Sequence, residues 1–172
     1  MAVSRELFRA LAGSFPTGVI VVATLDEKRQ PKGLTTQAFV GLSTEPPLML
    51  VSIDRTSRTL PALRHHGAFV VNFLRAGAED IATLFASKAE DKFRELRWRP
   101  SAEADGSPIL PDWSVAYAAC RVTRTIEAGD HWLFIVSVEA GDVLGGTPLM
   151  YYKRTYAAWP EESPAPPVEG TG

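Results

Sequence analysis

The sequence holds one cysteine, three histidines and no long apolar run, and each shortage closes a class of explanations. Cys120 has no partner for an internal disulfide, and its place in the alternating run AYAACRVTRTI reads as a small buried thiol. His65 and His66 are adjacent in a predicted helix and so point to different faces, while His131 has no second His or Cys at ligand spacing; no metal site is expected. A helical membrane span needs about 20 consecutive apolar residues, and no run here approaches that length. The opening stretch MAVSRELFRALAGSF sets Arg5, Glu6 and Arg9 where a signal peptide would need apolar residues, which predicts a cytoplasmic protein without a membrane partner. A formal net charge of -2 gives no bulk attraction for nucleic acid. The one charged aromatic strip, KFRELRWR, stands alone and reads as a lid or solvated connector rather than a site for single strands. Also missing are G-x-G-x-x-G after a strand, G-x-x-x-x-G-K-[ST] and G-x-S-x-G, so a nucleotide would have to be held without the usual glycine cradles.

What is present is 172 residues with 45% apolar content, enough for one core of ordinary size. We expect one domain over residues 1–160, followed by a disordered tail over 161–172, where EESPAPPVEGTG is rich in Pro, Gly and acid. SRELFRALAGSF predicts a short helix capped by Ser4, with Leu7, Phe8 and Leu11 at helical spacing and Gly13 at its end. GVIVVATL, PLMLVSID and GAFVVNFL read as buried strands. RTSRTLPALRHHG predicts a short helix begun by Ser57 or Thr59, with Pro61 in its first turn and Gly67 closing it. GAEDIATLFAS predicts another, with Ile81, Leu84 and Phe85 on one face and Glu79 and Asp80 near the favourable end of the dipole. SVAYAACRVTRTIEAG and HWLFIVSVEAGDV are long strands, and PLMYYKRTYAAW supplies a last strand or extended segment. Strands dominate and the few helices sit at connections, the pattern of a small mainly β barrel or sandwich.

Four polar clusters lie at strand ends: TTQA from Thr35, SIDRTSRT from Ser52, FASKAEDKF from Phe85, and GDH from Gly129. Each alone also fits a solvated turn, because turns are rich in such residues. Together they offer small residues and hydroxyls for a flat polar ring, a guanidinium with helix N-terminal N–H groups for an anion, and ammonium groups beside an aromatic edge.

The order FPTGV, GLTTQAFVGLSTEPPLMLVSI, SRT, GAFVVNFL, FASKAEDKF, GSPIL, GDH and PLMYYKRTY, from about Phe8 to Tyr156, resembles the short-chain flavin reductases of the FMN-binding split-barrel class. The resemblance implies a Greek-key-like split β-barrel with a few short helices, a homodimer, FMN or FAD as flavin, and NADH or NADPH as reductant. It implies a partner too: reduced flavin would diffuse to a separate flavin-dependent monooxygenase. By matching position, Gly33, Leu34, Thr35, Thr36, Gln37, Ala38 and Phe39 would border the isoalloxazine ring and ribityl chain. Ser52, Ile53, Asp54, Ser57, Arg58 and Thr59 would follow the tail to its phosphate, and Phe85, Ala86, Ser87, Lys92 and Phe93 would close over the phosphate or an adenylate. His131 would lie by flavin and nicotinamide, positioning the nicotinamide rather than serving as an obligatory proton donor, with Tyr152 and Arg154 near the dinucleotide.

The chain departs from the family pattern at three positions. Val136 stands five residues after the histidine, where a Gly is usual, and is expected to crowd the nicotinamide; Gln37 stands where Ser or Asn is common and Ala38 where Ser is, which is expected to alter which flavin is preferred. A flavin carrier or store without NAD(P)H turnover is the alternative function, and a barrel holding haem or pyridoxal phosphate is a further one.

Overall fold

In chain order the elements are α1 (Arg5–Ala12), β1 (Thr17–Gly18), β2 (Ile20–Leu25), β3 (Pro31–Thr36), β4 (Phe39–Thr44), β5 (Pro47–Asp54), α2 (Leu60–His66), β6 (Ala68–Leu74), α3 (Glu79–Ala86), β7 (Arg99–Pro100), β8 (Pro108–Ile109), β9 (Ser114–Ala128), β10 (His131–Val143), β11 (Leu149–Tyr152) and β12 (Thr155–Ala158). These come from a computed structural model that describes residues 2–160, so the predicted tail lies outside the described residues.

Seven strands form one sheet in the order β3-β2-β6-β9-β10-β5-β4, and every pairing in it is antiparallel. The two edges, β3 and β4, are joined only by Gln37 and Ala38, a link that reaches at most about 11 Å. Laid flat, the same strands at their usual spacing would hold those edges roughly 29 Å apart. The sheet therefore has to roll up until its edges meet at that end, and because no ladder joins β3 to β4 among the described residues, the barrel is split there. A three-stranded sheet β1-β11-β12 and the ribbon β7-β8 complete the strands.

β2 shows why an uninterrupted apolar run appears here. All six of its residues are buried, because one face looks into the barrel and the other lies under α3. Inside the barrel Val22 and Val51 pack with Phe69, Val71 and Phe134; outside, Val21 and Ala23 pack with Ile81, Phe85 and Phe93. On α3 it is Ile81, Ala82 and Phe85 that are buried, with the expected Leu84 only half covered. Cys120 is fully buried in the barrel, and burial, with Glu139 adding, pushes its thiol pKa up to about 12. It is inert packing.

Gly67 closes α2 in the left-handed region, φ 69°, as read from the sequence; Thr59 is the residue at its start. Two expectations change. PLMYYKRTYAAW is a hairpin rather than one strand: Lys153 and Arg154 both take positive φ and turn β11 back on β12. α1 is capped by Ser4 as predicted, its Oγ accepting from the Leu7 N–H at 3.2 Å, but Leu7, Phe8 and Leu11 stay 49%, 62% and 58% exposed. The periodicity is real, yet within one chain this face meets nothing.

Candidate functional site

The end of β5 sets the first wall. Asp54 accepts from the N–H and the hydroxyl of Thr56, both at 2.7 Å, a tight turn that sends Ser57, Arg58 and Thr59 across β3. Thr59 Oγ1 then donates to the Gly33 carbonyl at 3.1 Å. α3 supplies the opposite wall. Thr35 Oγ1 donates to Ala82 O at 2.6 Å, and Lys92 Nζ reaches back to the end of α3 to donate to Phe85 O at 2.7 Å and to Gly33 O at 3.3 Å. Across the mouth, Arg58 Nη1 donates to Lys88 O at 2.8 Å. Gly33 is needed for this approach, since a Cβ there would sit 2.7 Å from Phe85 Cε1.

Between the walls lies a cleft of about 680 Å³, a size usual for small-molecule sites. Lys32, Arg58, Lys88 and Lys92 line it against the carboxylates of Asp54 and Glu90 alone, so cations outnumber anions by two. Burial, and then the Arg58 charge, hold the Lys92 ammonium below its ordinary pKa. A bound anion would relieve both effects. The Thr56 hydrogen bonds, with smaller contributions from the charges of His131 and Arg55, hold the Asp54 carboxyl low.

His131 opens β10 directly opposite Asp54 in the β5 ladder, and its Nδ1 lies 2.7 Å from Asp130 Oδ1. That hydrogen bond and ion pair hold Asp130 below the usual carboxylate range, and the carboxylate in turn fixes the ring, which does not itself line the cleft but stands on the strand beside Asp54, which does. Arg55 N–H donates to Asp130 O at 2.9 Å, so the GDH turn is tied to the same loop that carries Arg58.

The cleft gathers Gly33, Leu34 and Thr35 from β3; Asp54, Ser57, Arg58 and Thr59 after β5; and Phe85, Ala86, Ser87, Lys92 and Phe93 from α3 and beyond. The remaining candidates stand elsewhere. Thr36 Oγ1 accepts from the Ala38 N–H at 3.1 Å, closing the link between the sheet edges. Gln37 accepts from Thr17 Oγ1 at 3.0 Å and, with Phe39, lines a separate apolar cavity of about 560 Å³ beside Phe15 and Phe73. Ser52 N–H donates to Ala38 O in the sheet, and Ile53 is 1% exposed with its side chain in the barrel core. Tyr152 and Arg154 lie at the tip of the β11–β12 hairpin, away from the cleft lining.

The residues assigned one by one from the sequence left out Pro31, Lys32, Thr56, Lys88, Ala89 and Glu90, all of which line the cleft. Three of these sat inside the quoted KAED run and one inside SIDRTSRT; for Pro31 and Lys32, the start of β3 was the available signal. Val136 calls for a correction. It is fully buried in the barrel core, paired with Met49 and Val122 beside a bulge, and does not line the cleft, so its bulk is spent on packing.

A split antiparallel barrel with a cation-rich cleft on its outer face, walled by hydroxyls, an aromatic ring and a helix end, defines a cofactor-binding barrel suited to a phosphate-bearing heterocycle. The comparisons with known proteins give that class its family: the flavin reductase like domain matches residues 12–160, and the chain belongs to that family. It is 45% identical to the flavin reductase (NADH) of Kitasatospora aureofaciens over 94% of this chain and 86% of that one. It is 36% identical to the reductase subunit HsaB of the Mycobacterium tuberculosis flavin-dependent monooxygenase, covering 92% of this chain and 84% of that subunit. Among solved structures, nitrilotriacetate monooxygenase component B from Mycobacterium thermoresistibile superposes with a TM-score of 0.87 at 33% identity, over 94% of this chain and 90% of the other.

Proposed function

We propose that this chain is an NAD(P)H-dependent flavin reductase that passes a hydride from reduced nicotinamide to FMN or FAD and releases the reduced flavin to a separate monooxygenase. The observation that carries this reading is the convergence of three clusters, distant in sequence, on one cationic cleft in a chain of the flavin reductase family. The relatives named for NADH-dependent flavin reduction and for the reductase subunit of a monooxygenase support the reductant and the partner.

A bound flavin would supply the redox chemistry, taking up the hydride, which brings its electron pair with it. The chain's own residues do the binding and orienting. Arg58, Lys88 and Lys92 would hold the phosphate, Ser57 and Thr56 would add hydroxyls at the mouth, and Gly33 to Thr35 would form the floor beside the sugar chain. His131, held by Asp130 at the edge, positions the nicotinamide against the flavin by hydrogen bonding rather than by giving up a proton. Proximity of the two rings, not general acid catalysis, is what the protein contributes.

The working unit in this reading is a homodimer. α1 buries none of its own residues, and Phe15, Val40 and Leu42 are also exposed, so apolar side chains on α1 and β4 call for a cover. Tyr152 and Arg154 do not reach the cleft of their own chain; contact with nicotinamide would come across the subunit boundary. Steady-state oxidation of NADH and NADPH by the purified protein, with FMN, FAD or no flavin added, tests the proposal. Turnover that depends on added flavin is expected; oxidation at the no-enzyme rate with either flavin contradicts it.

A further inference from the structure

A second cavity of about 370 Å³ opens beside the main cleft and shares four of its walls, Pro31, Lys32, Glu90 and Phe93. Its own walls are Gln30, Asp91, Arg94 and Trp98. The two differ in charge: the main cleft has two cations in excess, whereas here Lys32 and Arg94 are balanced by Glu90 and Asp91. A balanced pocket disfavours a second dianion and suits a neutral body carrying hydroxyls. Trp98 is half-buried, with its ring against the edge of Phe93 at 6.2 Å between centroids and 75° between planes. That contact fixes the indole while it lines the cavity, which makes it a preordered platform for a flat base. Carboxylates are the usual acceptors for the two hydroxyls of a ribose, and Glu90 and Asp91 provide them at the same wall.

Resting on the reductase reading, we propose that this second cavity holds the adenosine half of FAD, so that the chain selects the dinucleotide flavin over FMN. The flavin's phosphate lies at Arg58, Lys88 and Lys92; the pyrophosphate crosses the shared wall past Lys32; the adenine stacks on Trp98 with Arg94 above it, and the ribose meets Glu90. Arg94 and Trp98 act as specificity-determining residues for the flavin.

The test is equilibrium titration of the full-length protein with FMN and with FAD, in wild type, Trp98→Leu, Trp98→Phe and Arg94→Ala. FAD is expected to bind the wild type at least about tenfold more tightly than FMN, the scale of one base stacked on an aromatic side chain. Trp98→Leu and Arg94→Ala should narrow that ratio toward one, with Trp98→Phe restoring much of it. Arg94 is exposed, so its variant isolates the effect should Trp98→Leu fail to fold. Equal wild-type affinity for the two flavins, or parallel losses for both in Arg94→Ala, overturns the inference and leaves the reductase reading standing. If neither flavin binds the wild type, the reductase reading fails and this inference fails with it. Adenosine is also part of the pyridine nucleotides: a raised Michaelis constant for NADH in Arg94→Ala with FMN as acceptor, at an unchanged FAD to FMN ratio, would overturn the assignment in favour of that source.

Discussion

Replacing Arg58 by alanine removes the one guanidinium that faces the cleft, and its effect can be worked from the contacts. Arg58 is itself exposed, and its Nη1 donates to Lys88 O at 2.8 Å, which fixes it across the mouth with its remaining donors free. A charge-assisted hydrogen bond contributes about 1.5–3 kcal/mol, so loss of the phosphate contact should raise the FMN dissociation constant roughly 10- to 150-fold. The residue is exposed, so thermal stability should hardly move. Arg58→Lys, which keeps the charge but loses the planar fork, should fall between the two. The assay is quenching of flavin fluorescence on titration with protein, run in parallel with FMN and with riboflavin. Riboflavin has no phosphate, and its affinity should be nearly the same in wild type and variant. The reasoning is refuted by unchanged FMN affinity in Arg58→Ala, or by riboflavin losing as much as FMN.

Other parts of the account can be tested as directly. His131→Ala should raise the Michaelis constant for the pyridine nucleotide while flavin affinity holds; steady-state kinetics giving the reverse split would show the ring serves the flavin. Gly33→Ala forces a Cβ to 2.7 Å from Phe85 Cε1 and should cost about 1–3 kcal/mol, seen as a thermal midpoint lower by roughly 2–12 °C. Asp54 has its folded pKa held below the ordinary 3.8, so the stability it supplies is complete above that value and is lost as pH falls through the lower folded one. Thermal midpoints measured downward from about pH 5 should therefore drop less steeply in Asp54→Asn than in wild type. Phe8→Asp with Leu11→Asp, on a helix that buries nothing in its own chain, should turn a dimer into a folded monomer in sedimentation; a monomeric wild type would contradict the dimer.

Local signals in the sequence reported what depends on local physics. Ser4 caps α1, Gly67 ends α2, and the doubly buried β2 appears as an unbroken apolar run because both its faces are covered. What failed depended on neighbours far along the chain. The stripe on α1 has the right period but no covering surface in its own chain, and no periodicity can say what covers a face. Val136 reads as an obstruction when counted from His131, yet alternation along β10 sets it with Trp132 and Phe134 on the barrel face, opposite to His131. Gln37 and Ala38 look continuous with Thr35, but they form the crossing from one sheet edge to the other, and Thr36, the last residue of β3, alternates away from Thr35. Lys32 and Glu90 are unremarkable charges until the fold sets them in the wall between two cavities. The cleft itself was legible only as a likeness among four clusters; that three of them meet in it required the rolled sheet.

The most direct test of the central claim is anaerobic mixing of the protein with oxidised flavin and NADH or NADPH, following the visible flavin absorbance. Without oxygen, reduced flavin persists, so hydride transfer reads as bleaching. The account predicts rapid bleaching that needs protein, flavin and pyridine nucleotide together, slower in Arg58→Ala at limiting flavin and in His131→Ala at limiting nucleotide. A protein that binds flavin and stays yellow in excess NADH and NADPH would be a flavin carrier, and the reductase account would be wrong.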